Sequence, residues 1–256
     1  PFLLDLSKGS KLIKLRYAFF SDVHSNLEAF QSILREIEKL DIDTRIFIGD
    51  IVGYGASPNE SIEILQSSAD VILGGNHDFA AVDMTDISYF NPHAKEAILW
   101  TIDTLTSGNK DFLKKLTASM VIDNITLAHS SPKEPLMWHY ILNIFDAMEN
   151  FEYFNTPLCF IGHSHLPGIF EKDADGRINI SKDNIIQLND NSNYIINDGS
   201  VGQPRDGNPD ASFVIYDTTK KTIEFKRVSY DISATQEKMR REGLPDYLIE
   251  RLSYGR

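Results

Sequence analysis

Leu158-Cys159-Phe160-Ile161 followed at once by Gly162-His163-Ser164-His165 is the stretch that decides the reading of this chain. Four apolar residues closed by a glycine read as a short buried strand. Two histidines, two positions apart, then stand at its end. Such a pair after a buried strand rarely serves packing. It points to a sheet whose strand ends carry chemistry.

The same pattern recurs upstream. Leu15 to Phe20 reads as a strand ending at Ser21-Asp22, with His24 two residues on. Arg45 to Ile48 ends at Gly49-Asp50, and Val71 to Leu73 ends at Gly74-Gly75-Asn76-His77. Met120 to Leu127 reads as one strand ending at Ala128-His129. Helical patterns lie between these runs. Leu27, Phe30, Ile33, Leu34 and Ile37 predict a helix over Asn26 to Lys39, capped by Asn26 or Ser25. Ser61 to Ser68 predicts a short helix, and about Pro92 to Leu116 a mostly helical stretch with Ala94, Ala97, Ile98, Thr101, Ile102 and Leu105 buried. Pro132 to Pro157 is irregular, helical in part and rich in aromatics.

Downstream the chain is β-rich. Ile178 to Ile180, Tyr194 to Ile196, Ala211 to Tyr216 and Thr222 to Val228 are predicted strands. From Asp231 the pattern returns to helix: Ser233 with Gln236 resembles a capping box, Gly243 would stop that helix and Pro245 would start another. Alternating strands and helices predict α/β layers. Nothing reads as a linker, so residues 1–256 are taken as one domain, with an N-terminal extension (1–14) and a C-terminal helical tail (231–256).

Five strand ends thus supply Asp22 and His24, Asp50, Asn76 and His77, His129, and His163 and His165. Sites in open α/β sheets form outside the carboxyl ends of strands. In extended backbone, residues i and i+2 point the same way, so each two-apart pair would face one site. Gly49, Gly75 and Gly162 directly precede Asp50, Asn76 and His163, where glycine permits unusual dihedrals or close backbone approach. Imidazole, carboxylate and amide oxygen without thiolate suit Mn, Fe, Zn, Co or Ni, and manganese heads the expectation. Seven ligands make two sites if one carboxylate bridges, and such a pair of cations suits a phosphate. Taken singly, each motif has an ordinary reading: Gly-Asp is commonly a turn, and Asp-Val-His alone means little. Five of the seven histidines, however, fall in these strand-end motifs.

Composition bounds the reading. The chain has 256 residues, 42% hydrophobic and 24% charged, which suits a soluble globular protein. The single cysteine, Cys159, excludes an internal disulfide and a Cys₂ or Cys₄ zinc site; it reads as a buried small hydrophobe. The net charge of −12 argues against an extended nucleic-acid or membrane partner, but not against a small phosphorylated substrate beside bound cations. No apolar run is long enough to span a membrane. Pro1 to Ser7 lacks the basic-then-apolar order of a signal peptide, and the expected location is cytoplasmic.

With these residues in place, Asp22-Val23-His24, Gly49-Asp50, Gly75-Asn76-His77-Asp78, His129 and Gly162-His163-Ser164-His165 resemble, in kind and order, the calcineurin-like metallophosphoesterase superfamily over roughly residues 16 to 217. Gly49-Asp50-Ile51-Val52-Gly53-Tyr54-Gly55 and the stretch from Asn197 to Gly207 resemble a bacterial and archaeal subgroup of phosphodiesterases and diadenosine tetraphosphatase-like enzymes. The resemblance implies a four-layer αββα sandwich: two mixed β-sheets flanked by helices, with the metal site at the strand C-terminal rim. It implies that Asp22, His24, Asp50 and His165 hold a first divalent metal, and Asp50, Asn76, His129 and His163 a second. His77 matches the family's outer-sphere histidine, the catalytic acid for the leaving oxygen. The implied reaction is attack on phosphorus by a hydroxide bridging the metals, with a small phosphodiester or dinucleoside polyphosphate as substrate.

There are two departures, the first keeping a small residue and so of little expected effect. Ser25 stands where glycine is common. Val52-Gly53-Tyr54-Gly55 replaces the Asp and Arg of the protein-phosphatase branch, which argues against that branch and leaves Asp78, by adjacency, as the candidate partner of His77. A phosphomonoesterase or protein phosphatase of the same fold is the enzymatic alternative. A non-catalytic scaffold, like the retromer subunit of this fold, is the other, although here every ligand position is filled. Substrate-binding candidates are Arg205, which can fork onto phosphate or tie loop carbonyls and pair with Asp206 or Asp198; Tyr54, at the cleft mouth; and Trp138, which with His139 and Tyr140 can stack a nucleobase or form a lid or core cluster. His93 reads as an ordinary surface residue.

Overall fold

The structure, a computed structural model, describes residues 15–256, so the expected extension 1–14 lies outside the described residues. The first half runs β1 (Arg16–Phe20), α1 (Leu27–Ile37), β2 (Thr44–Ile48), α2 (Pro58–Ser68), β3 (Val71–Leu73), α3 (Asn76–Ala80), α4 (Pro92–Thr104) and α5 (Ser107–Leu113). Then come β4 (Ser119–Ile122), β5 (Ile125–Ala128), α6 (Ile144–Asn150), β6 (Leu158–Ile161), β7 (Gly168–Lys172), β8 (Ile178–Ser181), β9 (Ile185–Gln187), β10 (Asn193–Asn197), β11 (Ala211–Asp217) and β12 (Thr222–Val228). The chain closes with α7 (Ile232–Arg241) and α8 (Asp246–Glu250).

The strands form two six-stranded mixed sheets, ordered β3-β2-β1-β11-β12-β9 and β4-β5-β6-β10-β7-β8. Each has a parallel trio: β1, β2 and β3 in the first, β5, β6 and β10 in the second. These strands are buried on both faces, which is why their sequences read as unbroken apolar runs.

Alternation along the strands builds the layers. Tyr17 and Phe19 of β1 face the other sheet and pack with Leu127, Phe160, Ile196 and Val214. Ala18 and Phe20 point the opposite way, onto Phe30 and Ile33 of α1 and Ile62 of α2. On the second sheet, Cys159, Ile161 and Ile195 face outward onto Ala147 of α6 and Phe151. The result is the four-layer αββα sandwich. Cys159 is buried, as expected, and burial pushes its thiol up. The C-terminal helices cover the rim: Met239, Leu248 and Ile249 pack with Tyr54, Ala94 and Ala97.

Local structure departs from expectation in several places. Met120 to Leu127 is not one strand but the hairpin β4–β5, turning at Asp123 and Asn124, both with positive φ. Consecutive positive φ values at such residues mark a tight hairpin turn. The helical stretch from Pro92 breaks at Leu105, and Thr106 caps a second helix through a bond from the Asn109 N–H. Strands β7 and β9 were not predicted. Asn26, rather than Ser25, caps α1. The cap of α7 is Asp231, which accepts from Ala234 N, so Ser233 and Gln236 form no capping box. Among the described residues, no helix is long and apolar enough to cross a membrane.

Candidate metal centre

The parallel strands of both sheets end on one rim. The residues that follow β1, β2, β3, β5 and β6 meet there, and Asp22, His24, Asp50, Asn76, His77, His129, His163 and His165 are all buried. His163 N–H donates to Asp22 Oδ2 at 2.9 Å, which joins the two halves directly. Ligand-type atoms cluster in three overlapping groups: Asp22, His24 and His165; Asp50, His129 and His163; and His24, Asp50 and His77.

The extended i, i+2 geometry expected for the paired ligands is absent. Asp22 (φ 54), His24 (φ 49), His163 (φ 65) and His165 (φ 60) all adopt left-handed backbone, as does Asp50 (φ 60). The strands have already ended, and tight turns rather than pleats aim these side chains. A left-handed conformation costs an L-residue about 1–2 kcal/mol. It persists because the surroundings fix it: Asp22 N–H donates to Gly49 O, His24 N–H to Asp50 O, and Gly202 N–H to Asp22 O.

Close approach explains the glycines. A Cβ on Gly75 would lie 2.2 Å from Asp50 Oδ1, and one on Gly162 would lie 2.5 Å from Asp22 Oδ2. Neither neighbour can withdraw without leaving the centre.

The hydrogen bonds of the histidines fix which nitrogen faces inward. A carbonyl can only accept, so a ring nitrogen against one carries the proton. His24 Nδ1 lies 3.1 Å from Val52 O, His129 Nδ1 2.8 Å from Ile48 O, and His165 Nδ1 2.6 Å from Gln203 O. In the neutral rings, each Nε2 therefore presents a lone pair to the centre. His163 is reversed: its Nε2 donates to Trp138 O at 3.0 Å, which leaves Nδ1 as the inward atom.

Acceptors then confront acceptors. His24 Nε2 and His165 Nε2 are 3.1 Å apart, and Asp22 Oδ1 lies 3.6 Å and 3.2 Å from them. Asp22 Oδ1 is buried and, among the described residues, has no hydrogen-bond partner. Around Asp50 Oδ2, His129 Nε2 is at 3.4 Å and His24 Nε2 at 3.7 Å, while Asn76 Oδ1 is 3.3 Å from His129 Nε2. Lone pairs turned toward one another in a buried site repel unless a cation lies among them. The residues fit divalent metal, with carbonyls orienting the imidazoles as metal-binding histidines require.

Burial opposes charging His129, but the Asp50 carboxylate outweighs it and raises the ring to about 10. Burial and the charge on His129 lower His163 to about 3; burial and Arg205 lower His165 to about 4. Asp50 is held low by the surrounding imidazoles, against the effect of burial.

His77 lies edge-on to His24, with ring centroids 4.8 Å apart. Its Nδ1 is buried and has no hydrogen-bond partner among the described residues; the wall there is Gly53, where a Cβ would come within 2.5 Å. Asp78 is not its partner. Asp78 instead accepts from the backbone N–H groups of Asp50, Val52 and Gly75, at 2.8, 3.1 and 2.9 Å. It ties the ends of β2 and β3 together. Burial, with Asp50 nearby, raises it to about 7.

Sequence reasoning assigned no role to Ser21, and to Asp198 only that of a candidate partner of Arg205, which the structure does not show. Ser21 Oγ lies 2.6 Å from both Asp22 Oδ2 and Asp198 Oδ1. A hydroxyl has one proton to give, so the second contact needs a proton on a carboxyl. Asp198 is fully buried, and burial together with Asp22 raises it well above the usual carboxylate range. It follows β10, the sixth parallel strand, so the strand-end pattern could have found it.

The weaker candidates separate. Tyr54 is largely buried and lines the cavity beside the centre; it sits between His24 and His77, at ring distances of 4.4 and 4.5 Å. Arg205 donates to Gln203 Oε1 at 2.9 Å and to Tyr54 Oη at 3.4 Å, and among the described residues it has no carboxylate partner. Asp206 pairs with Arg227 instead. Trp138 packs on Phe79 and reaches His129, and Tyr140 stacks on His163. Both line a cavity beside the centre. His139 is exposed and pairs with Glu134; His93 is exposed and stacks on Tyr247.

Comparison with known proteins agrees with this geometry. The calcineurin-like phosphoesterase superfamily domain model matches residues 15–221. An uncharacterised protein of Methanocaldococcus jannaschii is 38% identical over 251 residues, covering 96% of this chain and 100% of that protein. The crystal structure of a metallophosphoesterase from Sphaerobacter thermophilus is 37% identical, with a TM-score of 0.84 over 95% of this chain and 100% of that one. A hypothetical protein from Pyrococcus horikoshii shares the fold at 19% identity, with a TM-score of 0.77 over 94% of this chain and 99% of that one.

Proposed function

The chain belongs to the calcineurin-like phosphoesterase superfamily, a family of metal-dependent hydrolases of phosphoric esters, and from that premise we propose that it hydrolyses a small phosphodiester at a dinuclear centre. The observation that carries the reading is the inward Nε2 atoms of His24 and His165 against Asp22 Oδ1, with Asp50, His129, His163 and Asn76 grouped beside them. Asp22, His24, Asp50 and His165 would hold one divalent ion, and Asp50, Asn76, His129 and His163 the other. Two ions so held would supply charge neutralisation at the phosphoryl oxygens and a water of lowered pKa. Manganese is the proposed metal; the thiolate-free N/O set admits it alongside Fe, Zn, Co and Ni.

The chain's own residues supply the rest. His77 would deliver a proton to the leaving oxygen, a role typically worth about 10²–10⁴-fold. Tyr54 holds that ring in place from one side. Arg205 would fork onto a non-bridging oxygen, and Trp138 would bound the substrate. Because Arg205 has no carboxylate partner among the described residues, a second phosphate is chemically admissible there. A dinucleoside polyphosphate is therefore the substrate to compare. An extended nucleic acid is not expected at a net charge of −12, and the proposed setting is cytoplasmic.

The experiment is metal analysis of the purified protein, followed by hydrolysis of bis-p-nitrophenyl phosphate and p-nitrophenyl phosphate with added Mn²⁺. Turnover of the diester above the monoester, lost with metal content in Asp50→Asn, is the expected result. A metal-loaded protein inert toward both esters would end the catalytic reading, and preference for the monoester would favour a phosphomonoesterase.

A further inference from the structure

We propose that the cavity beside the centre is a leaving-group subsite for an uncharged planar aromatic group of the nucleoside class. The proposal rests on the phosphodiesterase reading and narrows it. The cavity holds about 330 Å³, within the size range of small-molecule sites. Asn76, His77 and His163 border it on the side of the centre, and aromatic rings make its walls. Tyr140 lies nearly parallel over His163, with ring centroids 4.1 Å apart and planes 20° apart, and remains 48% exposed. Phe90 packs on His77 at 4.9 Å. Trp138, Tyr89 and Tyr54 also line the cavity.

Charge decides what such walls accept. Among the described residues lining the cavity there is no lysine or arginine; the one carboxylate is Asp86, held by Ser88 N–H and Oγ at 2.8 and 2.6 Å. A polyphosphate leaving group would carry several negative charges into a space whose lining, away from the centre, has no cationic side chain to receive them. Arg205, over the Tyr54 ring at 5.9 Å, does not line it. A neutral ring loses nothing there and gains stacking, while Asp86 can accept ring N–H groups. His77, the proposed acid for the leaving oxygen, borders the cavity, which puts the departing alcohol on that side. In the reaction, the P–O bond to the nucleoside oxygen breaks and the water oxygen bonds to phosphorus. One water proton ends on the leaving oxygen and the other on the monoester product.

The test compares adenylyl-adenosine, a dinucleoside monophosphate, with diadenosine tetraphosphate on the Mn²⁺-loaded protein. Calorimetric binding of adenosine is measured alongside. Wild type is expected to favour the monophosphate in kcat/KM and to bind adenosine. Tyr140→Ala should weaken adenosine binding about tenfold, the loss of one stacking contact. Asp86→Lys should shift the preference toward the tetraphosphate. Preference of wild type for the tetraphosphate, or adenosine binding unchanged in Tyr140→Ala, overturns the subsite. Adenosine binding without hydrolysis of any diester overturns the phosphodiesterase reading and with it the leaving-group role, leaving an adenosine site alone; hydrolysis of a diester without adenosine binding keeps that reading and overturns the subsite.

Discussion

Phe19 and Phe160 stack face to face across the two sheets, with ring centroids 3.6 Å apart and planes 5° apart. Each lies three residues before a residue of the centre, Asp22 and His163, which are themselves hydrogen-bonded. The stack therefore sets how the two halves of the site meet. Truncating a buried aromatic costs about 3–5 kcal/mol. Phe160→Ala should lose that much in denaturant unfolding and should also bind Mn²⁺ more weakly. Unchanged metal affinity in a folded variant would separate the stack from the site.

Metal uptake should release a proton. In the metal-free protein, Asp50 raises His129 to about 10, so the ring is charged at pH 7 and must lose a proton to become a ligand. His163 and His165, lowered to about 3 and 4, are already neutral. A raised ring competes with the metal below its pKa, so affinity should climb between pH 6 and 9 by about tenfold per unit. Calorimetry of Mn²⁺ binding in buffers of different ionisation enthalpy reads the proton directly. Binding heats that do not depend on the buffer would contradict the His129–Asp50 pairing.

Glycine substitutions should split by what the new Cβ meets. Gly75→Ala places a carbon 2.2 Å from Asp50 Oδ1, so the proposed bridging carboxylate has to move. A displacement near 1 Å at a reacting centre costs about 10²-fold in rate. Gly108→Ala, inside α5 with nothing within 4 Å, should instead stabilise the protein by about 0.5–1 kcal/mol. Diesterase rates and thermal unfolding of the two variants make the comparison.

At high pH, Tyr17 should limit stability. Burial, reinforced by its bond to Asp123 at 3.0 Å, raises the phenol to about 12 from 10.0. Below pH 10 the group is protonated in both folded and unfolded chains and contributes no pH dependence. From pH 10 to about 12 only the unfolded chain ionises, so stability falls as pH rises. Tyr17→Phe should flatten that fall in urea unfolding at pH 9, 10 and 11; an identical slope would remove Tyr17 as its cause.

The strand-end motifs were legible because each is local: an apolar run, a stop, and a ligand-type residue within three positions. Asp22, Asp50, His129 and His163 needed nothing more. Their aim was not legible, because left-handed backbone at Asp22 and His24 is fixed by carbonyls and N–H groups from other loops. Asp78 misled for a related reason. Adjacency suggested His77, but its carboxylate turns back to backbone N–H groups of β2 and β3 loops. The hairpin at Asp123-Asn124 was hidden inside an otherwise apolar run, and β9 is a three-residue edge strand that makes sense only beside β12. Tyr54 could be named as a candidate, but its place between two histidines depends on the C-terminal helices packed behind it.

The left-handed turns also bear on transplanting this centre. Idealised scaffolds avoid positive φ outside glycine. Copying the seven side chains onto such strands would reproduce the residues and lose their directions. What would have to be grafted is the turn after each strand, with Gly75 and Gly162 and the Asp78 clasp included. The transferable unit is a set of loops, and the side chains are its last layer.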